Sequence, residues 1–359
     1  MTSFAQSRQR RNYAVLQAGR AIAALLVVLH HVSSFVGGEP RLWSYPQIGR
    51  WLMGTSLGVA FFFVLSGIVI LTAHWHDIGD AATVWSYATK RVLRIYPIYW
   101  LVLALVLCGQ LTHADLQFPF HRDPYVVLSS ILLIHIHSTE TNLVVAWTLF
   151  HEMAFYAVFA TLLINRRIGV FLLTLWFCAS LVSLFKDGAQ TSATFPAIHL
   201  LFGFGMFAAW LLQKKQVPVP RLMLLAGTFL FCAAVAYSGQ IGSLTPRTYM
   251  VSGFGSMLAL LGASEMERFQ RLSIPRWLVF LGDASYAIYL IHYPVISHLA
   301  HLCFRLDAHL HLPVGLWMLM LLLAGTGAGS LLHVVVERPL LNWLRRSGAT
   351  SARQVTQTA

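Results

Sequence analysis

Apolar stretches of about 17 to 24 residues recur along the whole of this chain, the length an α-helix needs to cross a bilayer. Hydrocarbon offers backbone N–H and C=O groups no water, so segments that span it fold as helices. The 359 residues are 57% hydrophobic and only 11% charged, with mean hydropathy +0.66. A soluble chain of this length carries about 25% charged residues. The pattern predicts an all-α, polytopic helical membrane protein with about ten transmembrane helices. They fall near 13–36, 57–74, 95–112, 142–164, 168–185, 195–213, 220–238, 247–264, 279–302 and 313–336. The run from Val126 to Ile136 is too short to cross and reads as re-entrant or interfacial. The first span follows a basic tail without a small-residue cleavage site, so it reads as a retained helix. Residues 1–346 are expected to form one membrane domain, and 347–359 a short disordered cytoplasmic tail.

Charge sets the orientation. With the N-terminus inside, the cytoplasmic segments hold Arg8, Arg10, Arg11, Lys90, Arg91, Arg94, Arg166, Arg167, Lys214, Lys215, Arg221, Arg268, Arg271, Arg276, Arg338, Arg345, Arg346 and Arg353. The opposite side holds only Arg41, Arg50, Arg122, Lys186, Arg247 and Arg305. The positive-inside rule then places both termini in the cytoplasm. This sidedness accounts for the net charge of +12 without a nucleic-acid partner. Cys108, Cys178, Cys232 and Cys303 lie in or at the ends of different apolar segments, with no metal spacing and no disulfide framework. The outer-loop histidines His113, His121, His135, His137, His309 and His311 show no convincing ligand pair, so no metal is expected.

A few polar residues sit where lipid should exclude them. Arg20 and His31 are eleven positions apart, about three helical turns, so they share a face roughly 16 Å apart. With Arg20 at the inner edge, His31 falls near the middle of the membrane. Glu152 lies ten residues into VVAWTLFHEMAFYAVFATLLI, again near the midplane, where a carboxylate costs about 2.5–3.5 kcal/mol. Thr148, Glu152 and Tyr156 form one polar stripe on that helix. Either residue alone could serve only to tie helices together; their shared depth argues for chemistry. His30 points about 100° away from His31 and reads as a bystander. Ser285, Tyr289 and His292 make another polar face, for which catalytic support and plain helix–helix hydrogen bonding both stand. Arg91 and Arg94, in the loop before span three, face the same way and suit bidentate phosphate binding, although flanking charge alone would explain them. Gly58, Ser66 and Gly67 permit close helix approach.

Six pieces, GRAIAALLVVLHH, GVAFFFVLSG, KRVLRIYPIYW, AWTLFHEMAFY, LGDASYAIYLIHYP and ERPLLNW, together resemble the acyltransferase-3 family of integral membrane acyltransferases. They arrive in the family's order and cover residues 13 to about 345. The closest flavour is the exopolysaccharide-acetylating branch without an appended esterase-like domain. The resemblance implies that the family's arginine and histidine correspond to Arg20 and His31. Its Arg-x-x-Arg pair corresponds to Arg91 and Arg94, which bind the acyl donor, and its glutamate to Glu152. Ala60 departs from the pattern where relatives often carry a polar residue, and His151 occupies a variable slot.

The expected reaction is transfer of an acyl group, acetyl by family analogy, from cytosolic acyl-CoA to a hydroxyl of an extracytoplasmic or lipid-linked polysaccharide, in a bacterial inner membrane. Arg91, Arg94 and Arg20 would hold the donor's phosphates. His31 would take the hydroxyl proton, with Glu152 orienting the ring; a covalent acyl-histidine is the variant. Thr148, Tyr156, Ser285, Tyr289 and His292 would support the site. The rival class is a proton-coupled secondary transporter or flippase using midplane His and Glu as a relay.

Overall fold

The computed structural model describes residues 14–38, 45–112, 123–136, 140–185, 196–215, 217–310 and 312–344. The tail expected at 347–359, and His113, His121, His137 and His311, lie outside the described residues. Among the described residues every regular element is a helix. The main ones are α1 (Ala14–Gly38), α2 (Gly58–Ala73), α3 (Val84–Thr112), α4 (Pro124–Leu132), α5 (Trp147–Ile164) and α6 (Arg166–Phe185). They continue with α7 (Leu200–Lys214), α8 (Pro220–Ile241), α9 (Pro246–Arg268), α10 (Arg276–Asp283), α11 (Ser285–Leu310) and α12 (Val314–Leu332). The protein is a multi-pass helical membrane protein.

Nine of the described helices are long and apolar enough to cross a membrane. The expected span at 247–264 is α9, also long enough but too rich in Gly, Ser and Thr to qualify by composition. Its small residues face helices and not lipid. A Cβ on Gly227 of α8 would lie 2.3 Å from the Ala259 nitrogen, and one on Gly255 would lie 2.8 Å from the Gly227 carbonyl oxygen. Such backbone proximity replaces the usual apolar surface with van der Waals contact.

Helix α2 is apolar all round, as a helix enclosed by others should be. Gly58, Val59, Ala60, Phe61, Phe63, Val64, Leu65, Gly67, Ile68, Ile70 and Leu71 are all buried. It runs antiparallel to α1: Gly58 packs at Ala23 and Val27, and Gly19 packs at Phe61 and Leu65. It meets α7 through Gly67 and Gly205, where a Cβ on Gly205 would stand 2.0 Å from the Val64 carbonyl oxygen.

Two sequence expectations change here. Arg91 and Arg94 do not lie in a loop before span three; they are inside α3, which begins at Val84 and runs through Pro97. Nothing in that stretch breaks a helix before Pro97, and long arginine stems can lie along apolar surface while the head stays polar. The ninth span is divided at Ala284 into α10 and α11, which puts buried Ser285 at the first position of α11.

The short run at 126–136 forms α4, nine residues and far too short to cross. The last carbonyls of a helix lack intrahelical partners, and α3 supplies them. Tyr99 donates to the Ser130 carbonyl at 2.6 Å, Trp100 to that of Ile131 at 2.9 Å and Tyr96 to that of Leu132 at 2.8 Å.

Candidate active site

Helix α2 presents Val59, Phe62, Phe63, Ser66, Val69, Ile70 and Ala73 to a cavity of about 320 Å³. From Val59 to Ala73 the helix climbs fourteen steps, about 21 Å, most of the thickness of the hydrocarbon. Leu16, Gln17 and Arg20 of α1, and Arg91 and Arg94 of α3, line its other walls at the end where the chain is arginine-rich. Thr148, Glu152 and Tyr156 of α5 and Ser285, Tyr286 and Tyr289 of α11 complete it. Eight of the sequence-selected residues therefore share one cavity.

Each charged group is held differently. Arg20 donates from Nε to Ser285 Oγ at 3.1 Å, so the α10–α11 break positions the guanidinium. Arg91 lies 5.9 Å from the ring centroids of both Tyr87 and Tyr156, a cation–π cradle. Tyr87 is itself fixed by donating to the Tyr156 carbonyl at 3.1 Å. Glu152 Oε1 accepts from Tyr156, one turn along, and from Ser66 Oγ at 3.0 Å. Among the described residues, none of Arg20, Arg91 and Arg94 forms an ion pair. Two buried atoms on the cavity wall, Arg91 Nε and Gln17 Oε1, have no hydrogen-bond partner among the described residues. Three guanidiniums and one carboxylate line the cavity, an excess of positive charge in a low-dielectric site that favours a polyanionic ligand.

The expected meeting of His31 with Glu152 does not occur. From the contact of Gly58 with Val27, α2 runs eight residues inward to Ser66 and α1 four residues outward to His31, on the order of 15 Å apart in depth. The expectation took Arg20 as the inner edge of the membrane, but α1 begins at Ala14, six residues earlier, so His31 lies about 9 Å further out than counted. The actual partner of His31 is His292: Nε2 of His292 lies 3.1 Å from Nδ1 of His31. Their ring centroids are 5.0 Å apart, and the His31 ring also meets Tyr293 edge-on at 5.1 Å. His30 lies 5.1 Å from His31, and its buried Nδ1 has no partner among the described residues.

Between the cavity and the histidine pair stands Tyr289. Its hydroxyl is 2.8 Å from Thr148 Oγ1 and donates to the Val145 carbonyl at 3.0 Å. Phe62 packs edge-on against it at 5.7 Å, and the His292 ring lies 6.0 Å away on the other side. Sequence reasoning assigned Ser66 to helix packing and passed over Phe62, Gln17 and Tyr286. The signal available was spacing, since Phe62 and Ser66 are i and i+4 on α2. Among the described residues no group of three or more His, Cys, Asp or Glu side chains could hold a metal.

Residues 13–335 match the acyltransferase domain that defines the acyltransferase-3 family. The chain belongs to that family and is a membrane-embedded acyltransferase. It is 32% identical over 302 residues to the exopolysaccharide production protein ExoZ of Rhizobium meliloti, covering 79% of this chain and 89% of that one. It is 24% identical over 378 residues to the acyltransferase MdmB of Streptomyces mycarofaciens, covering 95% of each. It is 22% identical to the peptidoglycan O-acetyltransferase OatA of Listeria monocytogenes, covering 77% of this chain and 48% of the larger relative. No solved structure matches.

Proposed function

We propose that the protein transfers an acyl group, acetyl by analogy with its relatives, from cytosolic acyl-CoA to a hydroxyl of a polysaccharide or its lipid-linked precursor at a bacterial inner membrane. The observation that carries the reading is the arginine-lined cavity, polyanion-seeking at its basic end and apolar along α2. Arg91 and Arg94 hold the donor's phosphates, with Arg20 further in, and the acyl-bearing arm lies along Val69, Phe63 and Phe62. Glu152 balances part of the arginine charge and fixes Tyr156 and Ser66 at the wall. His31, beyond Tyr289, serves as general base toward the acceptor hydroxyl. Rotation of Phe62 or Tyr289 joins donor and acceptor sides during transfer. Both termini lie in the cytoplasm, as the distribution of Lys and Arg supports.

The test is reconstitution in nanodiscs with radiolabelled acetyl-CoA and a lipid-linked oligosaccharide, alongside mass spectrometry of surface glycans from cells with and without the chain. Donor-dependent ester formation and a missing ester mass in the deletion are expected. Solute movement without acyl transfer would overturn the reading in favour of a transporter.

A further inference from the structure

His292 is completely buried on α11. Its Nδ1 lies 2.9 Å from the Ile288 carbonyl oxygen. A carbonyl only accepts, so the proton of neutral His292 sits on Nδ1 and Nε2 carries the lone pair. That Nε2 faces His31 Nδ1 at 3.1 Å, which requires a proton on the His31 side of the contact. A second acceptor gives the same answer independently: the Val27 carbonyl oxygen lies 3.0 Å from the same His31 Nδ1. Both constraints put the proton of His31 on Nδ1 and the lone pair on Nε2. Among the described residues His31 Nε2 has no hydrogen-bond partner, and it is not enclosed like the orphaned Nδ1 of His30.

We propose that His292 is a positioning residue that, sharing the Nδ1–H of His31 with the Val27 carbonyl, fixes the ring's orientation and the one neutral tautomer whose Nε2 can accept a proton from the acceptor hydroxyl. The inference rests on His31 acting as the base. In the transfer step the hydroxyl proton moves to His31 Nε2 while the hydroxyl oxygen bonds to the acyl carbon. The carbon–sulfur bond of the thioester breaks, and the departing coenzyme A thiolate recovers the proton. As His31 becomes an imidazolium, its Nδ1–H bond to His292 turns from neutral to charge-assisted, so it strengthens as charge develops. A backbone carbonyl thereby anchors, through His292, a role that a carboxylate fills in many His-dependent acyl transfers. Glu152, on the far side of Tyr289, is not needed for it.

Acyl transfer by reconstituted protein would be measured for His31→Ala, His292→Leu and His292→Gln, with kcat and the KM for acetyl-CoA determined separately. Gln keeps an acceptor oxygen for His31 Nδ1–H, whereas Leu keeps volume and removes the acceptor. His292→Leu should lower kcat by about 10²-fold with little change in KM, and His292→Gln should recover kcat to within about 10-fold of wild type. Nitrogen NMR of ¹⁵N-histidine-labelled protein should show an unprotonated Nε2 on His31 in wild type and in His292→Gln. Full kcat in His292→Leu while His31→Ala is inactive would overturn the positioning role and leave the base standing. Full activity in His31→Ala would remove the base itself. Equal losses in His292→Leu and His292→Gln, with His31 NMR signals unchanged, would also overturn the proposal by reducing His292 to a packing residue.

Discussion

Tyr289 Oη lies 2.8 Å from Thr148 Oγ1, and this contact between α11 and α5, with Phe62 against the Tyr289 ring, stands between the arginine-lined cavity and the His31–His292 pair. Substituting Phe62→Ala together with Tyr289→Ala should open that partition. A cysteine introduced by Ser66→Cys on the cavity wall should then be labelled by membrane-impermeant thiol reagents from both sides of the membrane. With Phe62 and Tyr289 intact it should be labelled from the basic side only. The native cysteines are absent from the cavity lining, and a background lacking them keeps the readout clean.

Arg91→Ala and Arg94→Ala should weaken coenzyme A binding by about 10- to 100-fold each, the range of one lost charge-assisted hydrogen bond to a phosphate. Calorimetry on purified protein measures it, and the effect should shrink as salt rises. Arg91→Lys should recover little, since a lysine lacks both the fork and the stacking that Tyr87 and Tyr156 provide.

Glu152→Gln should retain shape but withdraw the negative charge among three guanidiniums. Acyl transfer should fall by about 10²-fold or more without loss of membrane insertion. Tyr156→Phe leaves Ser66 as a donor to the same oxygen, so its stability loss should stay near 1 kcal/mol. Thermal unfolding in detergent and the transfer assay together distinguish the two.

Tyr99→Phe should destabilise the fold by about 1–3 kcal/mol, because it strips the buried Ser130 carbonyl of its donor. Gly205→Ala should do more, since the new methyl would meet the Val64 carbonyl oxygen at 2.0 Å and force α2 and α7 apart. Yield and melting temperature of the two variants rank them.

The helical membrane architecture was legible because hydrocarbon allows few alternatives, and even α9 could be placed despite its polar composition. The charged residues of the site were legible for the same reason: Arg20, His31 and Glu152 stand out in apolar surroundings. Their pairing was not. Depth counted along one helix carries the uncertainty of its zero point, and Arg20, taken as the inner edge, stands six residues inside the start of α1 at Ala14. Such an error shifts a residue by more than a helical turn, enough to substitute one partner for another. Arg91 and Arg94 illustrate a second limit, since a basic helical stretch and a basic loop have the same composition. His292 was visible on its helix face, but only packing of α11 against α1 reveals which ring it touches.

A membrane that stores energy as an ion gradient loses it through any open passage, and the arginine-lined cavity already enters this protein from one side. The thin wall of Phe62, Tyr289 and Thr148 therefore has a duty unrelated to acyl chemistry. It has to stop protons and small solutes from escaping between turnovers, so the enzyme must pass an acyl group while remaining electrically tight.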